Sequence, residues 1–224
     1  MKKIFLIAAL LGTVSPSFGQ GIVDFGNFSN SQISTNSVHN GPATGLMSGP
    51  AGTYYFALLE GFTNATSIDA TLDNGTTLAN GGWIFSGNLA QNTTTPGILN
   101  GNYTPDPGVL VDIGYPPSQG NFVVVGWSAN IGTTYSAAKT WWNNGNPNAG
   151  PSGWFAISDI AQGVVVGGGV FPVPTIFGPT VGGEVQGFTL NLYTVPEPSS
   201  FAFAFLGTTA FLIIRKKLFS DTKN

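Results

Sequence analysis

The chain has 224 residues, 42% of them hydrophobic and 8% charged, a charge content about a third of that usual in soluble domains. Its length suits one domain with short flanking segments and excludes two full-sized ones. With no cysteine and a single histidine, His39, it excludes disulfides, thiol catalysis, cysteine-ligated metals and a multi-histidine metal site within one chain.

Residues 1–19 have the three parts of a secretory signal: Lys2 and Lys3, an apolar run over 4–11, and a polar segment ending in Ser17, Phe18 and Gly19. Ser17 and Gly19 put small residues at the −3 and −1 positions for a cut before Gln20. Eight apolar residues rise only about 12 Å as a helix, too short to cross a hydrocarbon core of roughly 30 Å. Export with cleavage by signal peptidase is therefore expected.

The body, 20–194, carries Lys139 as its one basic residue against eight acids, a net charge of −7. Phosphate neutralisation needs clustered Lys and Arg, so nucleic acid is excluded as a partner. Apolar stretches alternate here with Gly, Asn, Pro, Ser and Thr clusters, predicting strands over 22–28, 53–60, 82–86, 109–113, 121–129, 153–158, 162–167 and 184–193. In the last of these, period-two alternation puts Phe188, Leu190 and Leu192 on one face and Thr189 and Asn191 on the other. Asp73-Asn74-Gly75 and Asn80-Gly81-Gly82 are turn signals. Residues 136–143 form the one helical candidate. Short strands without intervening long helices predict an all-β fold, an antiparallel two-sheet β-sandwich of the jelly-roll kind.

Chemistry-bearing patterns are sparse in that body. No Gly-x-Ser-x-Gly elbow accompanies His39, so a Ser–His–Asp triad is not expected. Asp112, Asp159 and Glu184 stand in or beside predicted strands and supply the carboxylates a glycan hydrolase would need. Asp69 with Asp73, Asn74 and Gly75 lacks the close acids and closing Glu of a calcium loop and reads as a turn. Gly167-Gly168-Gly169 has neither a following helix nor a P-loop lysine. No catalytic residue, metal or cofactor is expected. The sequons at Asn27, Asn64, Asn74, Asn92 and Asn102 fit chance in so Asn-, Ser- and Thr-rich a chain. Trp141, Trp142, Asn143 and Asn144 make the best binding candidate, because sugars stack on aromatic rings and are held by amides, although core packing is the usual fate of Trp.

After the body comes Val195-Pro196-Glu197-Pro198-Ser199, a stiff extended spacer with two prolines. An uncharged run rich in Phe follows, then Arg215, Lys216 and Lys217. A helix over 199–214 would span about 24 Å, short for a membrane but helped by bilayer thinning and by snorkelling of the basic cluster. That cluster is expected to stay cytoplasmic, with residues 218–224 as a short tail beyond it.

Pro196-Glu197-Pro198, the apolar segment and the basic cluster, in that order behind a signal peptide, closely resemble the PEP-CTERM sorting signal of Gram-negative bacteria over 195–217. In the body, 21–28, 52–61 and 125–138 are similar to recurrent segments of such proteins. The resemblance implies recognition by an exosortase, transient anchoring in the inner membrane, and transfer to the cell surface or exopolysaccharide matrix. Four segments are thus expected: signal peptide 1–19, extracellular domain 20–194, sorting signal 195–217 and tail 218–224. The leading expectation is a non-enzymatic surface protein with a structural or adhesive role. A carbohydrate-binding module, with exopolysaccharide as ligand, and a glycan-active hydrolase are the alternatives.

Overall fold

A run of consecutive apolar residues such as Phe122-Val123-Val124-Val125 cannot alternate between core and water, so it needs cover on both faces. The fold is built around that requirement. A computed structural model describes residues 20–68, 82–102, 108–144 and 151–194. Its strands are β1 (Gly21–Val23), β2 (Ser34–Thr35), β3 (Gly45–Leu46), β4 (Tyr54–Gly61), β5 (Trp83–Asn92), β6 (Leu99–Asn100), β7 (Val109–Val111) and β8 (Gln119–Ser128). The helix α1 (Tyr135–Asn143) follows, then β9 (Gly153–Ile157), β10 (Ala161–Val165) and β11 (Thr189–Tyr193). The protein is mostly β.

Among the described residues nine strands form one sheet, eight of them in the order β3-β2-β11-β9-β8-β4-β5-β6 with β10 added on β8, and β1 pairs with β7 in a separate ribbon. All pairings are antiparallel except that of β11 with β2, which is parallel. β8 sits at the centre, with β4 along one edge and β9 and then β10 in succession along the other. Where β9 gives way to β10, Ser158 keeps the ladder closed: its amide donates to Val124 O at 2.9 Å, and its hydroxyl accepts from Val124 N at 2.9 Å.

The pleat divides the central strands between two cores. Phe56 and Leu58 of β4 join Phe122 and Val124 of β8 on one face, with Val23, Val109 and Val111 from the ribbon and Ile176, Phe177 and Val185 from the segment before β11. Ala57 and Leu59 join Val123, Val125 and Trp127 on the other face, beneath Tyr135, Ala138 and Trp141 of α1. Each large side chain removed from water in this way contributes about 1.5–3 kcal/mol. Gly126 in β8 lets the sheet close: a Cβ there would stand 2.8 Å from both Phe56 and Leu190 side-chain carbons.

All eight strand regions expected from the sequence overlap a strand, with shifted ends. Strand 22–28 stops at Val23, and that of 184–193 begins at Thr189. The strand expected over 82–86 instead continues to Asn92, through a bulge opposite β4 at Gly87, whose φ of +85° favours glycine. The two-residue strands β2, β3 and β6 have too little length to show a pattern. The parallel β11–β2 pair also departs from the purely antiparallel expectation. The expected signal peptide, sorting segment and tail, and the turn at Asp73, lie outside the described residues. Among the described residues no helix is long and apolar enough to cross a membrane.

Candidate functional site

Helix α1 starts where Thr134, in extended conformation, accepts a hydrogen bond from Ala137 N at 3.2 Å, the usual device for an N-cap. Its inward stripe is Tyr135, Ala138 and Trp141, so the next residue, Trp142, falls at the margin of the stripe. Trp141 is 6% exposed; its indole N–H donates to Pro151 O at 2.9 Å and its ring lies 5.8 Å from that of Phe155. It is a core residue. Trp142 is half-buried, one ring face stacked on Phe155 at 4.3 Å between centroids and 13° between planes. Asn143 and Asn144 are exposed, and the backbone N–H of Asn144 caps the helix on Thr140 O.

Two distant segments meet this helix end. Tyr193, closing β11, stands edge-on to Trp142 at 5.8 Å and 88°. His39, exposed in the loop after β2, lies 4.2 Å from the Tyr193 ring. Partial burial pushes the Tyr193 phenol above its ordinary value. The loop carrying His39 is held by Asn36, which is 1% exposed. The Asn36 carboxamide donates to Asn191 Oδ1 at 2.7 Å and to Gly41 O at 3.2 Å, and accepts from Leu192 N at 2.9 Å. The backbone carbonyl of Asn36 accepts from the Trp154 indole at 2.8 Å. On the other flank of α1 runs an open cleft of about 480 Å³ lined by Ile131, Thr134, Ser136, Thr140, Trp141 and Asn144 among others. Hydroxyl and amide groups supply its polarity.

The carboxylates weighed for hydrolysis are engaged elsewhere. Asp112 accepts from Gln20 at 2.9 Å, Asp159 from Gln186 N at 3.2 Å, and Glu184 from Thr180 N at 2.9 Å. All three therefore act as ties within loops or at strand ends. Among the described residues no group of three His, Cys, Asp or Glu side chains is placed to hold a metal ion. The sorting residues Val195, Pro196, Glu197, Pro198 and Ser199 and the basic cluster Arg215, Lys216 and Lys217 lie outside the described residues.

One acid went unremarked in the sequence. Glu60 is 0% exposed at the end of β4, where Oε2 accepts from Asp112 N at 2.9 Å and Oε1 has no partner. Burial pushes its carboxyl up to about 7, against the opposing pull of the Asp112 N–H. The signal was present: in the alternation of β4, Glu60 shares a face with Tyr54, Phe56 and Leu58.

Comparison with known protein families, with characterised proteins and with solved structures finds no match for this chain.

Proposed function

We propose that this is a non-enzymatic exported protein, sorted by an exosortase to the cell surface or exopolysaccharide matrix, where it has a structural or adhesive role. The observation that carries the reading is the ordered set Pro196-Glu197-Pro198, apolar run, and Arg215-Lys216-Lys217 behind a body with one basic residue. The folded part supports it in two ways. The acids Asp159 and Glu184 are committed to backbone amides, as expected of a scaffold. The last strand, β11, is complete at Tyr193, just ahead of Val195, so a cut near the diproline spacer leaves every described strand whole. We read the large sheet and the β1–β7 ribbon, which share one core, as the two layers of a jelly-roll-like sandwich. Mass spectrometry of the protein recovered outside the cell is the test: the expected mass begins at Gln20 and lacks the residues after the Pro-Glu-Pro segment. An extracellular form intact through Asn224 would overturn the sorting step.

A further inference from the structure

Aromatic side chains that serve a core alone are covered on all sides, whereas rings that bind sugars keep one flank in water and are braced from beneath. The rings gathered at the end of α1 have the second character. His39 comes from the loop after β2, Trp142 from the helix and Tyr193 from the end of β11. The first is exposed and the other two half-buried. Beneath them Phe155, 0% exposed, stacks against Trp142, and Trp141 meets Tyr193 edge-on at 5.8 Å. The rings therefore sit on a rigid bed, so binding would not have to order them.

We propose that His39, Trp142 and Tyr193 form an angled ledge that binds a neutral polysaccharide: Trp142 stands at 88° and His39 at 55° to the Tyr193 ring, so each ring would meet the apolar face of a separate pyranose unit. The charge pattern selects this ligand class. An anionic glycan needs the positive charge of Arg or Lys, and the body has only Lys139 among eight acids. The exposed amides of Asn143 and Asn144 border the ledge, and an amide can both donate to and accept from sugar hydroxyls. Trp141 packs against Tyr193 and also lines the cleft, which carries the hydroxyls of Thr134, Ser136 and Thr140 along the helix from its N-cap to Asn144. The cleft volume, about 480 Å³, falls in the range of small-ligand sites.

The inference goes beyond delivery to the surface and does not depend on it. Its test uses the full chain with its tail uncut, in a polyoxyethylene detergent free of sugar headgroups. Affinity electrophoresis through gels containing laminarin, mannan, galactan or xylan, with alginate as the anionic comparison, reads the dissociation constant. Retardation by at least one neutral polysaccharide is expected. Trp142→Ala is expected to weaken it about tenfold and His39→Ala about threefold, in line with the worth of one aromatic contact. Trp142→Ala also uncovers Phe155, so the exposed His39→Ala variant, with an unchanged melting temperature, carries the test if the first variant does not fold. Migration unaffected by every neutral polysaccharide, retardation by alginate alone, or wild-type affinity in folded His39→Ala and Trp142→Ala would overturn the ledge.

Discussion

Asn27, Asn36, Asn92 and Asn121 are all buried, and each uses its carboxamide on loop or strand backbone. Asn92 accepts from Tyr54 N at 2.9 Å and donates to Gly49 O, Pro50 O and Thr93 O. Asn27 accepts from Leu99 N and donates to Ser31 O and Gly97 O, while Asn121 ties Gly163 N to Thr63 O and Ala65 O. Two of the five sequon asparagines, Asn27 and Asn92, thus have amide nitrogens committed to the interior. Replacing Asn36 with Ala would orphan Leu192 N, Gly41 O and the Asn191 side chain together. A loss of about 3 kcal/mol is expected, measured by denaturant unfolding. In the sequence these residues are indistinguishable from turn formers, because one amide side chain suits an exposed turn and a buried tie equally well. Glu60 makes the complementary case. Its carboxyl is neutral in both folded and unfolded states below its ordinary value of 4.5, ionises first in the unfolded chain between there and about 7, and is penalised in full above. Stability should therefore fall by about 3 kcal/mol from pH 4 to pH 8. Asp112 is the charged neighbour that opposes ionisation, while the cross-strand partners Ile84 and Phe122 are apolar. Glu60→Gln should flatten that dependence and be the more stable protein at pH 8, as read from denaturation midpoints at the two pH values.

At the level of strands and helix, composition was a good guide wherever an element is long. β4, β8 and β9 are runs of aromatic and branched residues between turn formers, and the boundaries of α1 differ from the expected 136–143 by one residue at its start. Their pairing could not be read from the chain, since nothing in the residues of β2 announces that it lies parallel to β11. The second half of β5 was hidden because Gly87 and Asn88 look like a turn. They form a bulge instead, with the Asn88 side chain donating to Leu110 O. Gly126 shows how tightly the central strands close. Gly126→Ala forces a methyl group against Phe56 and Leu190 and should cost about 1–3 kcal/mol in thermal or denaturant unfolding. The sequence reading grouped Trp141 with Trp142 as binding candidates and could not separate them. Helical geometry does so, turning one ring into the core and leaving its neighbour at the margin. His39 and Tyr193 stand far from both in the chain, and only the return of β11 beside β2 and β9 gathers them.

For the molecule as a whole, the charge distribution was legible from composition. The large sheet with its two cores was legible only as a β-rich class. Four indoles, those of Trp83, Trp127, Trp141 and Trp154, donate to loop carbonyls at 2.7–2.9 Å, so the tryptophans fasten connections to the sheet as well as filling it. The position of β11 bears on how such a body withstands use. It runs between β2 and β9, with Asn36 bonded across it, and the chain leaves from its end. Traction entering at Thr194 and directed along the strand must slide both flanking ladders at once, whereas a strand at the sheet's rim has a single ladder to resist the same pull. A protein held in a matrix by that end would carry mechanical load through two short ladders sheared together, two residue pairs with β2 and three with β9.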